Sequence, residues 1–172
     1  SRRVGDPQEA ADAAEKLGYP VAVKALGVAH KTEAGGVRLD LCSAGDVSHA
    51  VEQMSHLSGA FLVEKMVENV VAELIVGVAR DDQFGPYLLV GGGGVMVEMM
   101  RDSLSLLLPV TRESVMGALQ GLQCAPLLSG FRGRPRADLT AAAEVILAVA
   151  KMVEDDPSSI VELDINPLML LA

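Results

Sequence analysis

Two short segments near the start of the chain, 21–25 and 37–41, alternate between apolar and other residues as β-strands do. They constrain the fold more than any other feature of the sequence. In the first segment, three apolar residues share one face: Val21, Val23 and Ala25. In the second, three apolar residues are predicted to face inward: Val37, Leu39 and Leu41. The chain therefore contains a strand–loop–strand unit whose first strand presents Ala22 and Lys24 on the face opposite to Val21, Val23 and Ala25.

Helix-capping residues surround this unit. Asp6 is suited to cap a first helix, and Gly18 is suited to end it. Ser43 and Asp46 have the spacing of a capping pair at the start of a second helix, and a short strand is predicted at 61–63. The order of elements is thus helix, strand, strand, helix, strand, which predicts a compact small lobe.

The second half of the chain is predicted to form a larger lobe. Its strands are predicted at 70–79, 87–90, 95–100 and 160–166. Its helices are predicted from Thr111 to about residue 122 and over 139–153. We therefore expect a small lobe over 1–66 and a large lobe over 67–172.

Charge and composition restrict the class of protein. The formal net charge of −9 argues against a nucleic-acid partner, because nucleic acids are bound by basic faces. Cys42 and Cys124 are isolated, which favours a reducing compartment and a cytoplasmic location over export. No segment approaches the ~18 consecutive apolar residues of a membrane span. We expect neither nucleic acid nor membrane among the partners.

Lys24 and the loop that follows it form the first candidate site. The loop contains His30, Lys31, Gly35 and Gly36. A lysine offers a point charge to a phosphate, and glycines let backbone N–H groups approach its oxygens. A solvated surface lysine and an ordinary loop histidine are the alternative interpretation of the same residues.

The last predicted strand carries a second candidate site. Alternation places Val161, Leu163 and Ile165 on one face and puts Glu162, Asp164 and Asn166 together on the other. Mg²⁺ prefers oxygen ligands and takes only one or two of them from the protein. The alternative is a strand with a polar, solvated face. The glycine run 91–94 is interpreted as a turn.

Several segments together carry a resemblance to a known family. They are 18–41, 61–67, 73–77, 82–86, the glycine run with Glu98 and Asp102, 130–133 and 162–167. In this order they resemble the ATP-grasp domain of NDP-forming (ADP-forming) acyl-CoA synthetases of the β-subunit type, related to the β subunit of succinyl-CoA synthetase. The resemblance implies an α/β (α+β) ATP-grasp fold with two lobes, a nucleotide cleft between them and truncation at both ends.

The resemblance also assigns roles to residues. Lys24 corresponds to the lysine that contacts the α and β phosphates, and Glu73 to the acid that hydrogen-bonds the ribose. The adenine edge is met by a hinge formed by Glu64, Lys65, Met66 and Val67. Asp164 and Asn166 correspond to the pair at the magnesium site of the family. His30 matches the histidine that receives a phosphoryl group and passes it on, and Glu162 or Asp164 is a candidate to orient its imidazole.

The implied reaction converts acyl-CoA, ADP and phosphate reversibly to acid, CoA and ATP, with ATP/ADP and Mg²⁺ as cofactors. A fused or separate CoA-binding/ligase domain would be the partner and would bring the small carboxylic acid and CoA. The family normally has a further magnesium-binding aspartate after the segment that ends this chain, so we expect the fragment alone to be inactive. Two alternatives stay open: a regulatory synthetase-like domain of a bacterial protein-lysine acetyltransferase, and a subunit-docking domain with a vestigial nucleotide cleft.

Overall fold

A computed structural model describes residues 1–28, 31, 34–94 and 101–172 of the chain. Its contacts divide the chain into two compact units, Ser1–Glu68 and Asn69–Ala172. Each unit contains one four-stranded antiparallel sheet with helices packed on it. His30 and the predicted strand at 95–100 lie outside the described residues.

The first unit follows the predicted order of elements, with one additional strand at its start. Its elements are β1 (Arg2–Val4), α1 (Pro7–Leu17), β2 (Val21–Ala25), β3 (Val37–Leu41), α2 (Ala44–Met54) and β4 (Phe61–Lys65). The strand order in the sheet is β1-β4-β2-β3. The predicted caps are confirmed, because the side chains of Asp6 and Ser43 accept hydrogen bonds from the N–H groups of Glu9 and Asp46.

The predicted alternation of β3 is wrong at Leu39, which is 55% exposed. Between Val21 and Val23 of β2 the pairing register shifts, so that β3 carries an extra residue there. Asp40 adopts a left-handed conformation with φ 56°. Together the bulge and this φ value break the alternation of the edge strand, and Leu39 turns to solvent.

The second unit is larger. Its strands are β5 (Ala72–Asp81), β6 (Gly85–Gly92), β7 (Ser103–Leu107) and β8 (Leu163–Leu170), in the sheet order β7-β6-β5-β8. Its helices are α3 (Arg112–Gly121), the short α4 (Ala125–Leu128) and α5 (Leu139–Asp155), with a 3₁₀ turn at Phe131–Gly133. Thr111 caps α3 as predicted, and it forms a capping box with Ser114. The aliphatic core lies between the sheet and helices α3 and α5.

Two features of this unit differ from the sequence analysis. Strand β7 was not predicted, and it is an edge strand whose residues are mostly exposed. The last strand begins later than predicted, at Leu163, so Val161 lies before it and is 71% exposed. The other two residues predicted to share its face, Leu163 and Ile165, pack against the core. In the described ranges, no helix combines the length and apolarity that crossing a membrane requires.

Candidate functional site

Lys24 and Glu64 form an ion pair on one face of the first sheet. The Nζ atom of Lys24 lies 2.5 Å from Oε2 of Glu64, and both side chains are about one-third exposed. Their strands β2 and β4 pair antiparallel, and the opposite face of both strands is packed into the core of the unit. A partly exposed ammonium group is therefore held in place on the side of the sheet that the helices leave open.

The predicted hinge at 64–67 is anchored to the turn that precedes β2. The N–H group of Met66 donates to the carbonyl of Pro20 at 3.0 Å, and the ammonium group of Lys65 donates to the carbonyl of Tyr19. Val67 is exposed. The backbone of the hinge is thus fixed by local hydrogen bonds where β4 ends.

The glycines of the loop between β2 and β3 differ in their surroundings. Gly35 has φ +70°, a conformation that favours glycine, and no atom of the described residues would lie within 4 Å of an added Cβ. The N–H group of Gly36 donates to the carbonyl of Lys31 at 2.6 Å, and its carbonyl accepts from Ala25 N–H. The hydrogen bonds of Gly36 therefore shape the loop, whereas Gly35 leaves open space.

Glu73 is partly buried near the start of β5, beside the glycine run. Its carbonyl accepts a hydrogen bond from Gly93 N–H at 2.8 Å. A Cβ added to Gly93 would lie 3.1 Å from the backbone of Glu73, and one added to Gly94 would lie 3.4 Å from its carboxylate. The absence of side chains at these glycines therefore lets the chain approach Glu73 closely. The predicted turn is wrong for Gly91 and Gly92, which belong to β6, and only Gly93 and Gly94 lie outside the strand.

Asp102 supports the same region, although its role was missed by the sequence analysis. It is 6% exposed, and its two carboxylate oxygens accept from the N–H groups of Gln123 and Cys124, each at 2.8 Å. Burial opposes its ionisation, but the hydrogen bonds from Gln123 and Cys124 outweigh burial, and the pKa of Asp102 lies below its usual value. Burial, and then the neighbouring Asp102, raise the pKa of the Cys124 thiol to about 12.

A cavity of about 200 Å³ lies beside Glu73 in the second unit. Gly93, Cys124 and Arg134 line it together with Glu73, and the remaining lining residues are apolar. A larger and more apolar cavity of about 330 Å³ lies between α5 and the end of β8 and contains none of the candidate residues. The combination of a carboxylate, a guanidinium group and apolar walls makes the smaller cavity the better candidate for a polar ligand.

Asp164 and Asn166 are both exposed and project from the same face of β8, as predicted. Glu162 precedes the strand, so the predicted row of three oxygen-bearing side chains is reduced to two. The residue opposite Asp164 on β5 is Gly77, so no side chain lies directly across from its carboxylate. Because β8 is also an edge strand, these oxygens are open to a ligand.

This donor set fits Mg²⁺. Within the described ranges, no group of three or more His, Cys, Asp and Glu side chains could hold a metal ion. Mg²⁺ does not need such a cage, since it commonly keeps several waters and takes one or two protein oxygens along with substrate phosphates. A carboxylate and an amide oxygen on one open strand face meet this requirement.

A model of the ATP-grasp domain matches the chain over residues 1–172. The chain belongs to the ATP-grasp family. This ATP-grasp domain is 38% identical over 171 residues to an ADP-forming acetate–CoA ligase I of Archaeoglobus fulgidus, covering 93% of the chain and 24% of the ligase. It is 30% identical over 172 residues to the β subunit of an ADP-forming acetate–CoA ligase II of Pyrococcus furiosus, covering 94% of the chain and 73% of that subunit.

The predicted resemblance to the β-subunit type of these ligases is therefore confirmed. The domain spans about a quarter of the length of the single-chain relative.

The ATP-grasp fold is also found in a solved relative, the dinucleotide-forming acetyl-coenzyme A synthetase 1 of Ca. Korarchaeum cryptofilum. Its complex with coenzyme A, Ca-AMPCP and HgCl⁺ superposes with a TM-score of 0.83 at 29% identity, covering 99% of the domain and 78% of that chain. A second complex, with coenzyme A and Mg-AMPPCP, has a TM-score of 0.80 at 30% identity, with coverages of 99% and 78%. In that complex the phosphohistidine segment points towards the nucleotide-binding site.

Proposed function

We propose that this domain is the nucleotide-binding part of an ADP-forming acyl-CoA synthetase. The whole enzyme would convert acyl-CoA, ADP and phosphate reversibly to a small carboxylic acid, CoA and ATP. The proposal is supported by the similarity to acetate–CoA ligases and to an acetyl-CoA synthetase that binds Mg-AMPPCP. Because those relatives include both a long single chain and a separate β subunit, the CoA-binding/ligase partner would be either fused or separate.

The position of Lys24 is the observation on which the proposal depends most. Its ammonium group is partly exposed on the helix-free face of the sheet and is already oriented by Glu64. A phosphate of ATP or ADP would replace part of the interaction with Glu64 and would gain a charge-assisted hydrogen bond. Lys24 would thus neutralise charge on the phosphate chain, which is a main requirement of phosphoryl transfer.

The remaining nucleotide contacts are proposed from the same pattern. Because the Met66 N–H already donates to Pro20, the backbone of the neighbouring Val67 would offer the N–H donor and the carbonyl acceptor to the edge of adenine. Glu73, which borders the cavity, would accept hydrogen bonds from the ribose hydroxyls. Gly35 and Gly36 would keep the loop after β2 close to the phosphates.

Asp164 and Asn166 are the residues that would hold Mg²⁺. When bound, the ion would reduce the repulsion between phosphate oxygens and the incoming nucleophile. Because Asp164 and Asn166 share one face of β8, both side chains would point to the same ion. Glu162, which lies before this strand, or Asp164 would accept the one N–H of the neutral His30 imidazole and so hold the tautomer whose other ring nitrogen attacks phosphorus.

His30 would be that relay. In the direction of ATP use, a lone pair of its neutral imidazole attacks the γ-phosphorus, a P–N bond forms, and the bond from phosphorus to the β-phosphate oxygen breaks. The products are a phosphoramidate on His30 and ADP. Transfer to a histidine of the ligase partner then regenerates free His30, so that one difficult transfer is divided into two.

The experiment that tests this proposal incubates the full-length protein with [γ-³²P]ATP and Mg²⁺. We expect a labelled protein whose phosphate is acid-labile and base-stable, and we expect the label at steady state to disappear in the variant His30→Ala. His49 and His56 provide matched controls, because both are exposed histidines of the same unit. His49→Ala and His56→Ala should keep the label. Retention of full labelling in His30→Ala would overturn the proposed relay.

A further inference from the structure

Asp102 is the only buried charged residue within the ranges that the structure describes. A buried carboxylate is costly unless hydrogen bonds compensate its lost hydration. Here both oxygens are used, Oδ1 by Gln123 N–H and Oδ2 by Cys124 N–H. The side chain of Asp102 thus fixes the backbone immediately before α4, which carries one wall of the cavity beside Glu73.

The main chain of Asp102 reaches the same cavity by a second route. Its carbonyl accepts from Gly92 N–H at 2.9 Å, and the next N–H group, that of Gly93, donates to the carbonyl of Glu73 at 2.8 Å. Successive N–H groups of an extended chain point to opposite sides, so these two glycines connect Asp102 to Glu73. The contact is close, since a Cβ added to Gly91 would lie 2.9 Å from the carbonyl oxygen of Asp102.

We propose that Asp102 is a positioning residue for Glu73. It connects the glycine segment that contacts the Glu73 backbone to the Cys124 wall that faces the same cavity, and so holds the Glu73 carboxylate in one orientation. The proposal rests on the proposed contact between Glu73 and the ribose of ADP. Asp102 itself lies behind the cavity wall and would not touch the nucleotide.

The negative charge and two-acceptor chemistry of Asp102 are essential to this role. The variant Asp102→Asn keeps the size of the side chain but replaces one acceptor oxygen by an NH₂ group. That group would face the N–H of Gln123 or Cys124, so one buried donor loses its partner. We expect the cavity wall to shift and the orientation of Glu73 to become less defined.

The test measures the binding of Mg-ADP, 2′-deoxy-ADP and 3′-deoxy-ADP to the full-length protein by calorimetry. If Glu73 accepts from the ribose, the wild type should prefer ADP to at least one deoxy analogue by about tenfold, and Glu73→Gln should remove most of this preference. Asp102→Asn should reduce the preference towards the Glu73→Gln value. The double variant should be no less selective than Glu73→Gln alone, because the two changes act through one contact.

Asp81→Asn is the matched control. Asp81 also accepts two backbone N–H bonds, from Gln83 and Phe84, but it is the exposed last residue of β5, next to the turn into β6. The variant Asp81→Asn should therefore leave the preference for ADP over the deoxy analogues unchanged. Cys124→Ala is a milder second variant, since the Cys124 thiol faces Asp102 and the cavity. It should reduce the preference in the same direction by a smaller factor.

The possible outcomes separate the two proposals. If Glu73→Gln leaves the preference of the wild type intact, the proposed ribose contact is wrong. If Glu73→Gln removes the preference but Asp102→Asn and Cys124→Ala both retain it, Asp102 does not position Glu73. A purely structural loss in Asp102→Asn would weaken ADP and the deoxy analogues by the same factor, which also contradicts the positioning role.

Discussion

The ammonium group of Lys24 lies 2.5 Å from the carboxylate of Glu64, although the two residues are not directly opposite each other in the sheet. Lys24 is paired with Leu62, and Glu64 is paired with Ala22. The ion pair therefore crosses diagonally between β2 and β4, which lysine and glutamate are long enough to do. Because both side chains are partly exposed, this pair contributes at most about 1 kcal/mol to stability. The main effect of the ion pair is to orient the side chain of Lys24.

The first prediction concerns Lys24→Gln. Removing the charge should weaken Mg-ADP binding by about tenfold or more, because a charge-assisted hydrogen bond to phosphate is lost. The thermal midpoint should change little, since the lost ion pair is partly exposed. Calorimetric titration together with a thermal melt checks both statements. Lys16→Gln removes an exposed lysine at the end of α1 and should leave ADP binding unchanged. Equal affinities for Lys24→Gln and the wild type would exclude Lys24 as a phosphate ligand.

The second prediction concerns the oxygens on β8. Asp164→Asn should raise the Mg²⁺ concentration needed for half-maximal ADP binding by about tenfold, because a charged oxygen ligand becomes neutral. Asn166→Asp keeps an oxygen donor and should retain or strengthen the response to Mg²⁺. Asp155→Asn, at the exposed end of α5, is the control of equal chemistry. The site is misassigned if Asp164→Asn and Asp155→Asn show the same Mg²⁺ dependence.

The elements that sequence reasoning predicted well are those set by local signals. The caps at Asp6, Ser43 and Thr111 depend on a side chain and an N–H group three residues apart, so the sequence contains the whole interaction. Strand β2 was predicted because Val21, Val23 and Ala25 share one face, and these residues do lie in the core on a regular ladder with β4. The ATP-grasp family followed from longer motifs, such as the segment around Lys24.

The features that escaped prediction depend on distant partners. Leu39 faces solvent because a register shift against β2 and the φ value of Asp40 break the alternation of β3. Strand β7 forms by pairing with β6 at the edge of the sheet, and most of its residues are exposed although serine and leucine alternate along it. Asp102 binds the N–H groups of Gln123 and Cys124, and backbone donors leave no mark in a sequence. These contacts become visible only when the chain is folded.

The third prediction concerns alkaline pH and Cys124. Burial raises the pKa of this thiol to about 12, above the value of about 9 expected in the unfolded chain. The folded state therefore keeps a proton that the unfolded state releases, so this contribution to stability is complete below about pH 9 and is lost as the pH rises towards 12. The free energy of unfolding of the wild type should thus fall more steeply with pH than that of Cys124→Ala.

Urea unfolding at about pH 8, 9 and 10 measures this difference. Tyr19, whose pKa is also raised by burial, is present in both proteins, so its contribution cancels in the comparison. Cys42→Ala is a useful reference because Cys42 is exposed. Parallel pH profiles for the wild type and Cys124→Ala would show that the thiol does not titrate differently in the two states.

The last prediction contrasts two glycines of the second unit. Gly130 has φ +91°, and an added Cβ would lie 2.8 Å from the carbonyl oxygen of Arg134. Gly130→Ala should therefore destabilise the protein by about 1–3 kcal/mol through backbone strain and overlap. Gly117 lies inside α3 with no atom within 4 Å of an added Cβ. Gly117→Ala should stabilise by about 0.5–1 kcal/mol, because alanine loses less backbone entropy in a helix.

Both variants make the same chemical change, so each serves as the control of the other. Denaturant unfolding at neutral pH gives the two free energies, and thermal midpoints should move in opposite directions, by several degrees for Gly130→Ala. If both substitutions destabilise equally, the helix does not tolerate alanine at Gly117. If neither substitution changes the free energy of unfolding, the loop at Gly130 can relax away from the left-handed conformation. Its backbone would then not hold Arg134, which lines the cavity beside Glu73, in a fixed position.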